Sequence, residues 1–598
     1  MPSKKSSRPA PTPKPAPAAI HYAVDTDDLH AHLFQITLTI AHPAELQTVS
    51  MPVWIPGSYL VREFAKNLQQ LSAQQEREPL ALVQLDKCRW QVACQPGRPL
   101  VLRYAVYARD DSVRTAWLDA SRGFFNGTSL FLQVQGQTGQ PHALTIHAPK
   151  AAKNWQLATG LDAVRVDKRG FGSYRAADYD ELADCPVEMG AFWSGEFIAC
   201  GVPHRFVVAG ATPSFDSERL LRDTRAICET AIRFWHGRGK PPHKSYVFML
   251  NAVDDSYGGL EHRNSTALIC GRRDLPRTGS TTASEGYTTL LGLISHEYFH
   301  TWNVKRLRPA EFARYDYGQE NYTRLLWFFE GFTSYYDDLL LRRAGLLDDA
   351  GYLKLLAKTL NQVLQTPGRA VQSVAQASFD AWIKYYRQDE NTPNTTVSYY
   401  TKGALVALCL DLTLRHEGAT TLDAVMRALW KRCQGGPMTE ADLAAVLRQL
   451  GGRDFSAELA NWVHGTADLP VAALLAHQGV KLTQERAQPA QRLGLRVSEA
   501  GGLHIKLVLR GGAAERAGFA AGDEWLGVET PAPHAGAWRM LKLDDLDFYA
   551  VPQRDLTALV SRDRRLLRLA LQLPADVTTA RLNLRDPALA QAWLTGSK

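Results

Sequence analysis

The chain has 598 residues, 45% of them hydrophobic and 22% charged, with a formal net charge of +7. That is too long for a single core and ordinary in composition for a soluble protein, so about two to four domains are expected. No apolar run approaches the roughly 18 residues of a membrane span, which excludes a transmembrane helix and, with it, a membrane partner.

The first 18 residues, "MPSKKSSRPAPTPKPAPA", carry cations without a following apolar stretch, so they read as a disordered basic Pro-rich tail and not as a secretory signal. Lys4, Lys5, Arg8 and Lys14 sit there without nearby acids, and taking these four from +7 leaves only +3 for the body. A nucleic-acid binder keeps a basic patch on its fold, so nucleic acid is not expected as a partner. Eight scattered cysteines without CxxC spacing read as reduced core thiols of a cytoplasmic protein.

From 19 to 192 the sequence alternates in short runs such as "HLFQITLTI" and "LVLRYAVYA", separated by Gly, Pro, Asn and Asp, the pattern of an antiparallel β domain. Between roughly 215 and 465 the period turns helical, as in "SERLLRDTRAICETAIRFWHG", with one β segment, "KSYVFMLNAVDD". Short strands return from about 478 to 575. The fold class read from these shifts is multidomain α+β.

Within the helical part, "LISHEYFHTW" places His296 and His300 four apart, with a cap at Ser284 to start the helix. Four residues is one helical turn, so both imidazoles can reach one ion, while Glu297 lies one step round and can reach a water without ligating. Two glutamates compete as third ligand. Spacing favours Glu320, 20 residues after His300, but it lies in the polar "YDYGQENYTR", where a carboxylate needs no partner. Environment favours Glu330 in "LLWFFEGFTSYY", where a buried carboxylate costs several kcal/mol unless a cation neutralises it. Glu330 is the choice. Two imidazoles and one carboxylate leave a position open for water, the catalytic zinc pattern, with Glu297 as general base.

"HEYFHTWNVKRLRP" followed by "LWFFEGFTSYY" resembles the glycyl aminopeptidase family of zinc metallopeptidases, gluzincins related to the alanyl aminopeptidases. "PVWIPGSYLVREFAKNL" and "DYDELADCPVEMG" look like that family's N-terminal β domain, and "LGL…GGAAERAGFAAGDEW" like its C-terminal PDZ domain. The resemblance implies a β domain at 19–192, a mostly helical thermolysin-like catalytic domain at 193–472, a PDZ domain at 478–575 and an extension at 576–598. It also implies one Zn2+ per chain on His296, His300 and Glu330. "GGLEH" (Gly258, Gly259, Leu260, Glu261, His262) resembles the strand whose glutamate holds the substrate's α-amine, with the glycines letting the peptide approach. "YYTKG" is similar to the YxKG motif whose tyrosine steadies the oxyanion, which points to Tyr400, with Tyr399 as fallback. Lys305, Arg306 and Arg308 either face the substrate or cap the helix's negative C-terminal end, and the cap is the preferred reading. The expected activity is zinc-dependent removal of N-terminal residues, Gly and Ala preferred, from peptides with a free N-terminus. A zinc endopeptidase and a non-catalytic PDZ scaffold, with a peptide or intramolecular ligand at the loop around Gly494, are the alternatives.

Overall fold

The computed structural model describes residues 18–550 and 554–596, so the tail expected at 1–18 lies outside the described residues except for its last position. The chain divides into two compact units, one of residues 1–53 and 63–192, the other of 54–62 and 193–598.

The first unit is β-rich. Its widest sheet has eight strands, and two further sheets have four each. Leu33–Ile40 shows why: Phe34, Ile36, Leu38 and Ile40 are buried and the residues between them are not, the period-two pattern of a strand with one face on a core. Pairing is antiparallel with one exception, since Ile20–Asp28 runs parallel to His142–Ile146. A parallel neighbour needs a long crossover, and the strands between them in sequence provide it. Inside this unit Arg122 grips the buried Glu188 with two hydrogen bonds, of 2.8 and 2.7 Å.

The second unit opens with an excursion from within the N-terminal β region. Ile55-Pro56-Gly57-Ser58 forms a turn closed by Ser58 N donating to Ile55 O at 3.0 Å, with Gly57 at φ 91. Proline then glycine at the two central positions is the type II signature. Trp54, beside it, is fully buried against Trp382 at 5.3 Å and donates through Nε1 to Asp316 O at 2.7 Å.

Next come five strands in the order Trp193–Ala199, Val202–Ala209, Tyr246–Val253, Ser265–Gly271 and Tyr257–Glu261. The helical reading of 215–465 with a single β segment is corrected here. The missed interior strand Ser265–Gly271 is buried on both faces, so it lacks alternation, and Tyr257–Glu261 is too short to show a period. Tyr257–Glu261 ends the sheet, antiparallel to Ser265–Gly271, with its other edge unpaired within the sheet.

Helices follow. The motif helix Glu285–Phe299 begins where Ser284 Oγ accepts from Tyr287 N at 3.0 Å, and His300 is its C-cap. The glutamate helix Leu326–Arg343 packs along the tyrosine helix Tyr399–His416, and they meet at glycines. A Cβ on Gly331 would lie 2.5 Å from Gly403 Cα, and one on Gly403 would lie 2.5 Å from Trp327 O. The glycines of "EGF" and "TKG" are thus a requirement of this crossing.

The C-terminal part of the unit is a six-stranded sheet with its own core around the fully buried Trp525, Val528 and Val560. Beside it, Val480–Arg486 pairs antiparallel with Thr578–Leu584. The helix Pro587–Thr595 then returns to the glutamate helix. Trp593, wholly buried, donates to the Tyr335 hydroxyl at 2.9 Å, and Arg343 donates to Trp593 O at 3.3 Å. Arg343 is itself paired with the buried Asp423 at 2.9 Å. The described part of the expected extension, residues 576–596, therefore contributes a strand and a packed helix. No helix among the described residues is long and apolar enough to cross a membrane, and all eight cysteines are free.

Candidate active site

His296 and His300 leave the last turn of the motif helix with ring centroids 4.6 Å apart. Glu330, one turn into the glutamate helix, faces both: its Oε2 lies 3.6 Å from His296 Nε2 and 3.2 Å from His300 Nε2. His296, His300 and Glu330 each offer an atom within 4.8 Å of the others. Glu320 is elsewhere, on a loop where the Tyr322 hydroxyl donates to its carboxylate.

The far nitrogens are occupied. His296 Nδ1 pairs with Asp337 Oδ2 at 3.0 Å, and His300 Nδ1 with Asn303 O at 2.7 Å. A carbonyl only accepts, so His300 Nδ1 carries its proton and Nε2 turns a lone pair inward, and a carboxylate favours the same tautomer at His296. Three electron-rich atoms then converge in a buried space. Burial disfavours a charge on His296 and His300, yet Asp337 and Glu330 raise the first and Glu330 raises the second. Burial likewise penalises the Glu330 carboxylate, but His300 and His296 hold it down at about 2. The potential that draws protons to the imidazoles will hold a divalent cation in their place, so the donor set fits zinc.

The loop after the motif helix fixes His300. Asn303 donates through Nδ2 to Phe329 O at 3.1 Å and to Thr333 Oγ1 at 3.2 Å, tying the end of the motif helix to the glutamate helix. Val304 adopts φ 122, a strained conformation for a β-branched residue that costs about 1–3 kcal/mol. Lys305 N to His300 O at 3.1 Å and Leu307 N to Trp302 O at 2.9 Å hold it there. Arg306 donates to Thr301 O at 2.8 Å and to Arg263 O at 2.9 Å, and Arg308 to Phe312 O at 3.4 Å. Arg306 and Arg308 are thus spent on backbone carbonyls around the loop.

Glu297 is buried, and its Oε2 has no hydrogen-bond partner among the described residues. Burial pushes its carboxyl up and Glu261 and Glu330 add to the rise, against the pull of His296 and His300. Its place is kept by Gly259 on the edge strand, where a Cβ would stand 2.1 Å from Glu297 Oε1. Gly258 precedes it on the same strand, opposite Ile269. Glu261, two residues further on, is 4% exposed and brings its carboxylate within 4.8 Å of the donor atoms of Glu297 and His300. The Pro56-Gly57 turn backs Glu261, since a Cβ on Gly57 would meet both of its carboxylate oxygens at 2.6 Å. His262 closes the strand, with its N donating to Ser265 O at 3.0 Å.

Tyr400 stacks on His296 with centroids 6.2 Å apart and remains partly exposed, whereas Tyr399 is fully buried with its hydroxyl unpartnered. Of the two, Tyr400 faces the accessible side.

All eight residues singled out in the sequence, Gly258, Gly259, Glu261, His296, Glu297, His300, Glu330 and Tyr400, come together here. Three were missed: Asp337, Asn303 and Gly57. Asp337 had a local signal, two helical turns after Glu330 and on the same face. Asn303 acts through its carbonyl, which residue type does not reveal, and Gly57 arrives from some 200 residues upstream.

Residues 21–191 match the Peptidase M61 N-terminal domain and residues 289–406 match M61 glycyl aminopeptidase. The fold is similar to that of an aminopeptidase N family protein from Idiomarina loihiensis, at 37% identity over 96% of this chain and 100% of that one, with a TM-score of 0.91. An M1 zinc metallopeptidase from Deinococcus radiodurans is far more distant, at 17% identity over 76% and 94% of the two chains and a TM-score of 0.45. No curated protein sequence matches the chain.

Proposed function

The chain belongs to the M61 glycyl aminopeptidase family, and on that premise we propose that it is a zinc-dependent aminopeptidase that takes Gly and Ala first from peptides with a free N-terminus. The observation that carries this reading is the convergence of His296, His300 and Glu330 beside two further buried carboxylates, Glu297 and Glu261, at the free edge of a sheet.

His296, His300 and Glu330 would hold one zinc ion, oriented by Asp337 and the Asn303 carbonyl. When bound, zinc supplies Lewis acidity that activates water and polarises the scissile carbonyl. The chain's own residues do the rest. An extended peptide lies along Tyr257–Glu261, where the glycines allow close approach, and Glu261 receives the α-ammonium. Glu297 takes a proton from the attacking water and hands it to the leaving amine. The Tyr400 hydroxyl donates to the carbonyl oxygen as negative charge develops on it, a role worth several kcal/mol in comparable sites.

The C-terminal sheet is read as a PDZ domain, whose Gly494 loop takes a peptide end or an intramolecular segment. The eight free cysteines support a reducing, cytoplasmic setting.

The test is a panel of aminoacyl-arylamides and N-acetylated peptides, assayed with and without a chelator. Free-amine substrates should be hydrolysed, Gly and Ala fastest, blocked ones refused, and the chelator should abolish turnover. Equal cleavage of blocked and free peptides would move the reading to an endopeptidase. A zinc-loaded protein that cleaves neither would leave the peptide-binding scaffold.

A further inference from the structure

A second cavity, of about 410 Å3, lies away from the ligand cluster. One wall is the end of the helix Asp349–Leu364 and the turn Pro367–Ala370, and the other is the C-terminal sheet near Gly494. The size is that of a small-molecule site. Its chemistry is one-sided. Arg369, Arg492, Arg496, Arg510 and Arg516 line it, and among the described residues no Asp or Glu does.

Two of these guanidiniums are answered from outside the cavity, Arg369 by Asp468 at 2.8 Å and Arg492 by Asp547. Among the described residues Arg496, Arg510 and Arg516 have no carboxylate partner. Arg496 donates only to the carbonyl of its neighbour Leu495, at 3.1 Å, and burial lowers its pKa. Two lining donors are orphaned altogether: Arg492 Nε and Gln365 Nε2 are shut off from solvent and meet no acceptor. A half-buried guanidinium without a counter-charge and two buried donors without acceptors are each costly, and all three want acceptor oxygens.

Asn361 on the same wall shows what satisfaction looks like. Its amide is fully used, accepting from Ala580 N at 2.8 Å and donating to Ala580 O at 2.8 Å. The unmet donors are therefore confined to the arginine side and Gln365.

We propose that this cavity binds a small molecule bearing two or more anionic groups, carboxylate or phosphoester, held by Arg496 with Arg510 or Arg516 as the second contact. Guanidinium forks match the paired oxygens of both groups, and the exposed Arg510 and Arg516, lining the same cavity as the half-buried Arg496, offer a second anionic group its partner. The inference does not rest on the peptidase reading, since no residue of the zinc cluster takes part, but it does compete with the peptide seat read for the Gly494 loop, which lines the same cavity, and the experiment separates the two.

The experiment is titration calorimetry and thermal melting of the full-length zinc-loaded protein. The probes are propane-1,2,3-tricarboxylate and fructose 1,6-bisphosphate, with acetate at matched ionic strength as the singly charged control. One of the two polyanions should bind saturably at one per chain and raise the melting temperature, and which one does so distinguishes carboxylate from phosphoester. Arg496→Gln should weaken that binding about tenfold or more. Without ligand the same variant should melt no lower than wild type, because an uncompensated charge has been removed. Arg510→Gln, on the exposed rim, gives a second reading if Arg496→Gln folds poorly. The proposal is overturned if neither polyanion binds below about 10 mM, or if both arginine variants bind as wild type does. Binding only of a peptide with a free C-terminal carboxylate would overturn it too, in favour of a peptide seat.

Discussion

Gly259→Ala isolates the general base from the metal. A Cβ there would stand 2.1 Å from Glu297 Oε1 and 2.4 Å from its Cδ, where ordinary contact begins at 3.4 Å. The carboxylate must therefore retreat by about 1.3 Å, the difference between 3.4 and 2.1 Å. The atoms displaced run from the carboxylate back to Cγ, at 2.6 Å, so the whole Glu297 side chain must turn, while Gly259 is not in the left-handed region and its backbone tolerates a Cβ. A misplacement of about 1 Å in a reacting group costs about 100-fold in rate, or about 2.7 kcal/mol of barrier. The expected result is a folded protein with full zinc content and kcat at least about 100-fold lower, with KM free to rise because the same glycine lies under the peptide. Gly139→Ala, where a Cβ meets nothing within 4 Å, is the control. Metal analysis, a melting curve and steady-state kinetics on the same preparations decide the matter. A zinc-loaded Gly259→Ala enzyme with wild-type kcat would refute the assignment of Glu297 as proton acceptor.

Glu330→Ala should lose zinc by metal analysis while Glu320→Ala keeps it, and the opposite pattern would reverse the choice of third ligand. Glu261→Ala should lower kcat/KM strongly on free-amine substrates and narrow the gap between free and N-acetylated ones, and an unchanged ratio would remove Glu261 as amine anchor. Asp337→Asn, which keeps an acceptor near His296 Nδ1 but loses the charge, should weaken zinc affinity about 10- to 100-fold in chelator competition. Trp593→Ala should destabilise the second unit by about 3–5 kcal/mol, seen as a lower melting temperature.

What the sequence disclosed was what physical chemistry makes local. His296 and His300 are one turn apart, Ser284 is a cap by residue type, and Glu330 is surrounded in sequence by the apolar side chains that bury it. Tyr257–Glu261 was found only through its likeness to a known motif, because five residues carry too little period to be read. The strand Tyr246–Val253 was visible but its sheet was not, since a strand buried on both faces does not announce its neighbours. Gly57 was hidden for a different reason: "IPGS" reads as a turn wherever it falls, and only tertiary structure says that this turn is pressed against Glu261.

The docking of Trp593 has a consequence for how the enzyme is made. The glutamate helix is secured by a hydrogen bond from an indole 258 positions later than Tyr335, and Arg343 reaches a carbonyl 250 positions away. During synthesis the helix bearing Glu330 is finished long before the residues that brace it exist. The nascent chain thus passes through a long interval in which the helix bearing Glu330 lacks the support of Trp593.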